Sequence, residues 1–344
     1  MVFLIRDSDV AQLELTPSDV IEAVEDAYRQ DGQGKAEDTP RLEIKIKGKH
    51  LPHIAPGVTS VGQGMALLEG SGVFVITHSI RFDYSKYINQ ILDPDTGETL
   101  AVILRSSRTR VSSPGNIDVG GLRTGAAAAI GAKYLGREKV EAVGVIGTGR
   151  IGRASLICVS EVRDFDKVYS HSGRRRDEEF PKLMEKMLDV EVIICDDPGD
   201  VVRNSDLIVT ATFALEPVVK GEWLREGTHI SGMGADGPLK SELDTEVFRR
   251  AGKVVVDSEK CLSIGEIVNS IKDGALSRES IHGRIGEVVA GIRPGRENNS
   301  EITVFESDGT HLQSAAVANL IYRKALETGH GIDTSNISSF FVNP

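Results

Sequence analysis

Gly147, Gly149 and Gly152 stand at GxGxxG spacing in VGVIGTGRIGRAS, directly after an apolar run and at the start of a helical one. The spacing suits a dinucleotide: Gly147 allows a tight turn, Gly149 lets a pyrophosphate approach the backbone, and Gly152 permits close helix packing. The helix N-terminus adds unpaired N–H groups and a partial positive charge. Gly147, Thr148, Gly149, Arg150, Ile151 and Gly152 are therefore expected to hold the cofactor phosphates. A bare GxGxxG is weak evidence, but its strand–turn–helix context inside a βαβ unit makes it specific.

The next apolar run ends in KVYSHSGRRRDEE, where the adenosine ribose should lie. A carboxylate there would bond the 2′-hydroxyl of NAD and repel the extra phosphate of NADP, whereas hydroxyls and guanidinium groups do the reverse. The stretch offers Ser170, His171, Ser172, Arg174, Arg175 and Arg176, and no acid before Asp177. NADP(H) is accordingly the expected cofactor, with NAD(H) possible, and the 2′-phosphate falls to Ser170 or Ser172 and to Arg174 or Arg175. The competing reading is a solvated helix start in which the arginines pair with Asp177, Glu178 and Glu179.

In an open α/β sheet, ligands bind beyond the carboxyl ends of the strands. That rule selects Thr210, Ala211 and Thr212 after the fourth strand, Met233 to Asp236 after the fifth, and Asp257 to Ser258 after the sixth. Asp236 is the carboxylate expected nearest the nicotinamide. The same stretch, GADGPLK, is also good turn chemistry.

The elements that must position these residues fall into two styles. From Arg123, RTGAAAAIGAKYLG reads as a helix of small residues closed by Gly136; then AVGVIG, KVYSHS, VEVIICD, DLIVTAT, HISGMGA and KVVVDS alternate with helical stretches. The alternation predicts a parallel sheet covered on both faces, a Rossmann-type α/β domain over 121–310. Residues 1–120 read instead as an α+β unit. TPSDVIEAVEDAYRQ has Thr16 as N-cap and Pro17 at the first helical position, while RLEIKIK, GVFVITHSI and ILDPDTGETLAVIL suggest an antiparallel sheet. The helix QSAAVANLIYRKALETG, in the closing segment 311–344, must pack somewhere.

The bulk composition narrows the partner. A net charge of -11 opposes nucleic acid and anionic membrane surfaces, so a small molecule is expected. Cys158, Cys195 and Cys261 form no CxxC pair and read as reduced, buried thiols of a cytoplasmic protein. MVFLIRDSDV does not read as a secretory signal, no apolar run approaches a membrane span, and no metal-ligand pattern is expected.

Taken together, GLRTGAAAAIGAKYL, GVIGTGRIG, EGTHISGMGADGPLKSELD, VVVDS, SIGEI and IGEVVAGIRPGRENNSEITVF resemble the ornithine cyclodeaminase and mu-crystallin family. That family includes archaeal-type alanine dehydrogenases and ketimine reductases. The resemblance is fullest over residues 120–310, thins over the first 50, and is poor over 53–120. It implies that Arg41 in TPRLEI and Arg123 in LRTGA clamp a substrate carboxylate, and that Asp236 serves the substrate nitrogen. It further implies that Lys240 braces the loop, and that residues 1–120 completed by 311–344 bind substrate and pair two subunits as a homodimer.

The chain departs from the family pattern in three places. No lysine occurs from Leu51 to Ser85, where the family carries one on a strand, so Thr77 or His78 is the expected substitute. RSSRTRVSSPGNIDVGG lengthens the approach to LRTGA. ESDGTHLQS puts Asp308 and His311 where relatives have small or apolar residues; Asp308 reads either as an acceptor for a cationic substrate group or as a turn acid. His229 and His282 read as structural.

The chemistry implied is hydride exchange between nicotinamide and a carbon bearing nitrogen, on a small amino or imino acid. An NADP(H)-linked imine reductase or amino-acid dehydrogenase is the preferred expectation. A cyclodeaminase that releases ammonia and recycles its hydride is the alternative, and a non-catalytic binding protein is a third.

Overall fold

The computed structural model describes residues 2–39, 42–45, 60–81, 85–111, 117–173 and 177–334. The chain divides into two compact units, Met1–Gly120 with His311–Pro344, and Gly121–Thr310.

The first unit opens with β1 (Phe3–Ile5), α1 (Asp7–Val10) and α2 (Pro17–Gly32). Thr16 caps α2: its hydroxyl accepts from the Asp19 N–H while the Asp19 carboxylate accepts from the Thr16 N–H, with Pro17 in the first turn. Strands β2 (Ala36–Asp38), β3 (Leu42–Lys45), β4 (Ser60–Leu68), β5 (Val73–Arg81), β6 (Ser85–Leu92) and β7 (Thr99–Ser106) follow. β4 to β7 pair antiparallel in sequence order, as the alternating runs predict. β1 departs from that pattern by joining β7 in parallel.

In the second unit, α3 (Val119–Leu135) begins four residues before the Arg123 start read from sequence. It leads into β8 (Ala142–Ile146), α4 (Arg150–Ser160), β9 (Lys167–His171), α5 (Glu179–Leu188), β10 (Glu191–Ile194), α6 (Pro198–Asn204), β11 (Leu207–Thr210) and β12 (His229–Gly232). Next come α7 (Thr245–Arg250), β13 (Lys253–Val256), α8 (Gly265–Lys272), β14 (Gly283–Arg284), α9 (Ile285–Val289) and β15 (Thr303–Glu306). The strands form one sheet in the order β10-β9-β8-β11-β12-β15-β13-β14, every described pairing parallel. The central strands β8, β11, β12, β13 and β15 are buried along their whole length, as a parallel sheet covered on both faces requires.

The chain returns to the first unit with α10 (His311–Thr328) and β16 (Ile332–Asp333). α10 packs on α2 and on the sheet at β4, β5 and β6, and it is buried on nearly every side along its first turns. Its solvent-exposed positions are confined to its C-terminal half. Cys158 and Cys261 are buried thiols, but Cys195 is half-exposed because it lies one residue past the end of β10.

Candidate active site

The strand order reverses direction between β8 and β11, which opens a crevice at their carboxyl ends. Gly147, just past β8, has φ of +100°, and a Cβ there would sit 2.4 Å from the Ala211 carbonyl oxygen. A Cβ on Gly152 would lie 1.9 Å from the Gly147 oxygen, so α4 can pack this close only through glycine. At Gly149, the N-cap of α4, a Cβ would meet nothing within 4 Å, and no side chain caps the helix. Open space in front of an uncapped helix start fits an incoming pyrophosphate. Arg150 and Ile151 form the first turn of α4.

Asp177 fixes this turn from outside, a role the sequence reading did not anticipate. Its carboxylate accepts hydrogen bonds from the Thr148 hydroxyl and the Arg153 guanidinium, each at 2.8 Å, and from the N–H groups of Glu179 and Phe180. Burial works against ionisation there, yet the Arg153 and Thr148 hydrogen bonds together hold the carboxyl below its usual range. At the end of β9, Ser170 is buried and its hydroxyl donates to the Ile193 carbonyl of the neighbouring strand. It faces the sheet interior, which leaves Ser172 as the hydroxyl at the strand exit. Ser172 accepts from the Asp177 N–H at 3.2 Å, and the His171 ring meets the Cys195 carbonyl at 3.0 Å. Arg174 and Arg175 lie outside the described residues.

Beyond β11 and β12, Thr210 is buried, Ala211 and Thr212 are half-buried, and Met233 closes against the Thr210 carbonyl through its N–H. Asp236 is 54% exposed, and its carboxylate is 2.6 Å from the Lys240 ammonium, which also donates to the Gly234 carbonyl. Lys240 thus braces the loop, and it sits over the Phe213 ring as well.

Asp308 is buried against Lys260, so its charge is answered within the protein rather than held open for a cationic substrate group. Burial pushes its carboxyl up to about 6 against the pull of Lys260, with Asp257 and Asp236 adding to the rise. The partner lies 48 residues away, which is why neither reading of Asp308 from sequence included it.

Thr77 and His78 face opposite sides of their sheet. Thr77 is buried and accepts from the Asn89 amide at 2.8 Å, while His78 lies on the other face with Ile80, Ile88 and Leu104. Arg123, in the first half of α3, is half-buried and donates to the Thr124 hydroxyl at 3.3 Å. Arg41 lies outside the described residues. His229 is a core residue whose ring nitrogens meet Thr303 and Ser231; burial, helped by Arg296 and Arg163, drives its pKa well below the usual value. His282 bonds the Pro294 carbonyl. Among the described residues no acidic, His or Cys cluster could hold a metal, and no helix is long and apolar enough to cross a membrane.

Sequence reasoning missed three fully buried glutamates beneath the strand exits: Glu242, Glu266 and Glu306. The signal was present in TVFE, where an acid closes an otherwise apolar buried strand.

A doubly wound parallel sheet with a glycine turn at its switch point defines a dinucleotide-binding class of protein. Within that class, the model of the ornithine cyclodeaminase/mu-crystallin family matches residues 85–329, and the chain belongs to that family. It is 33% identical to an alanine dehydrogenase of Archaeoglobus fulgidus over 96% of this chain and 98% of that one. Among solved structures it resembles the Δ1-pyrroline-2-carboxylate reductase of Thermococcus litoralis in complex with NADH and L-proline. That match has a TM-score of 0.83 and 32% identity, covering 96% of this chain and 99% of the other. An archaeal alanine dehydrogenase dimer with bound NAD matches equally well, with a TM-score of 0.83 and 31% identity over 96% and 98%.

Proposed function

We propose that this protein is an NAD(P)H-dependent oxidoreductase acting on the C–N bond of a small amino or imino acid. The observation that carries the reading is the glycine turn at the switch point, together with an exposed carboxylate past β12 at the same edge of the sheet, Asp236, held by its own lysine. The relatives that bind NADH with proline, or NAD, support it over nearly the whole chain.

A reduced nicotinamide bound there supplies the hydride. Arg123, with Arg41 as its companion, fixes the substrate carboxylate by forked hydrogen bonds. Lys240 orients Asp236, whose carboxylate accepts a hydrogen bond from the protonated substrate nitrogen and so directs its carbon toward the hydride. In the reverse direction the same carboxylate accepts a hydrogen bond from the amine nitrogen and steadies the positive charge that develops there as the carbon gives up hydride.

NADP(H) is the preferred cofactor in this reading. The nearest acid, Asp177, already serves four donors in the protein. Ser172, Arg174 and Arg175 then suit a 2′-phosphate. Two copies pair through the face of the first unit's sheet that exposes Ile80, Ile88 and Leu104, in keeping with the dimeric relative. Three free cysteines fit the reducing cytoplasm.

The test is a panel of L-alanine, L-proline and L-ornithine, each with NAD+ and NADP+, and of pyruvate with ammonia and Δ1-pyrroline-2-carboxylate, each with NADH and NADPH, following nicotinamide absorbance and ammonia together. Net cofactor oxidation or reduction with at least one member is the expected result. Ammonia release without net cofactor change would instead identify a cyclodeaminase, and neither signal would point to a binding protein.

A further inference from the structure

The three buried glutamates take no part in the steps above, and an unpartnered buried carboxylate is costly, so what each one holds is informative. Glu242 lies in the link between β12 and α7. Its Oε2 accepts from the Thr210 hydroxyl and the Gly234 N–H, each at 2.8 Å, and its Oε1 accepts from the Thr212 N–H and hydroxyl, each at 2.6 Å. A single carboxylate therefore ties the exit of β11 to the exit of β12. Gly234 is needed for that approach, because a Cβ there would lie 2.6 Å from Glu242 Cδ and 2.5 Å from the Thr212 oxygen. Behind this clasp, Glu266 in α8 accepts from the N–H groups of Glu242 and Leu243. Glu306 ends β15 against Glu266. No donor among the described residues reaches either oxygen of Glu306 or the free oxygen of Glu266, and buried carboxylates left without donors are costly, so a proton shared within this pair is what its burial calls for.

We propose that Glu242 is a positioning residue of the redox reaction, one whose carboxylate locks the β11 and β12 exits together and so sets the Met233–Asp236 backbone that carries the reacting carboxylate. This rests on the reading of Asp236 and the strand exits given above. Two of the four donors on Glu242 are backbone N–H groups that cannot turn round, so both of its oxygens must accept. An amide there places an N–H against the N–H of Thr212 or of Gly234. At Glu266 the isosteric amide fits: its oxygen accepts from Glu242 and Leu243, and its N–H donates to Glu306 where the shared proton stood.

The experiment compares E242Q and E266Q in the full chain by backbone hydrogen exchange without cofactor, then by kcat and KM on an imino acid the wild type turns over. E242Q is expected to exchange faster at 208–216 and 230–237 but not at β8, and to lose at least about thirtyfold in kcat with KM within about threefold. E266Q is expected to stay within about threefold of wild type throughout. Unchanged exchange in E242Q, or equal damage from E266Q, overturns the proposal whatever the enzyme does. Should E242Q not fold, the milder T210V/T212V double variant removes the two hydroxyl donors and is expected to lose about tenfold in kcat, with faster exchange at the same segments; wild-type exchange there would overturn the idea. A wild type that turns over nothing on the panel defeats the functional reading alone, since the exchange result still decides the role of Glu242.

Discussion

The Glu266–Glu306 pair makes a prediction about stability that needs no substrate. Burial, reinforced by the charge of Glu242, pushes the Glu266 carboxyl from its ordinary 4.5 up to about 7, and burial together with Glu266 raises Glu306 further. The folded protein therefore holds these protons more tightly than the unfolded chain. The stability they contribute is complete below about pH 4.5 and is lost as pH rises toward 7. At about 1.4 kcal/mol per pKa unit, Glu266 alone should remove on the order of 3 kcal/mol across that window. For a unit of this size, that lowers Tm by roughly 6–12 °C. Carboxyls held below their usual range, such as Asp177 and Asp19, change stability at lower pH, whereas buried His229, its pKa driven well below 6.5, gains stability as pH rises toward 6.5 and opposes the trend equally in wild type and variant. Asp308, raised to about 6, adds to it with the same sign. Thermal unfolding between pH 5 and 8 should thus show the wild type losing Tm with rising pH relative to Glu266→Gln/Glu306→Gln, in which the His229 contribution is the same. A double variant with the wild-type slope would refute the shared-proton reasoning.

Four further outcomes are expected. Gly152→Ala puts a methyl group against the Gly147 oxygen and should weaken NADH binding at least about tenfold by fluorescence titration, with the secondary structure by circular dichroism intact. Asp236→Asn should lower kcat by about 10²–10⁴ while NADH still binds, and full turnover would remove Asp236 from the mechanism. Arg123→Lys should raise KM for the carboxylate substrate by about tenfold or more, since an ammonium cannot reproduce the forked contact. Arg174→Ala/Arg175→Ala should shift the ratio of kcat/KM for NADPH over NADH by at least about tenfold toward NADH, and an unchanged ratio would end the 2′-phosphate assignment.

What could be read from sequence was what depends on local period and local turn chemistry. The α2 cap, the antiparallel strands β3 and β5 to β7, and each strand from β8 to β13 are written in neighbouring residues. Each glycine of the turn has the geometry its spacing implies. Features set by distant partners were not legible. β15 inserts between β12 and β13, and β1 pairs in parallel with β7, because sheet order is a tertiary choice. Thr77 and His78 looked interchangeable until strand parity put them on opposite faces. Ser170 stands where a ribose-side hydroxyl is expected, but its strand register turns it inward. Asp177 was read as the first acid past the ribose position or as a partner of the preceding arginines, whereas its carboxylate folds back onto the glycine turn.

The strand exits show why acids gather in one place and not in another. Along the carboxyl edge each chain makes one last ladder bond: Gly147 N–H to His171, Ala211 to Ile146, Met233 to Thr210, Ser307 to Gly232, Asp257 to Glu306. One or two residues later the ladder has ended, and the N–H groups need other acceptors. Beyond β11, β12 and β15 the protein supplies its own anions: Glu242 takes Thr212 and Gly234, and Asp257 takes Gly309 together with the Ser307 hydroxyl. Beyond β8 the arrangement differs. Asp177 binds the Thr148 hydroxyl and Arg153, but no side chain caps α4, and the space in front of Gly149 is open. One exit is thereby left able to receive an external anion, and an internal carboxylate placed there, as by Gly149→Asp, would compete with the pyrophosphate for the same N–H groups.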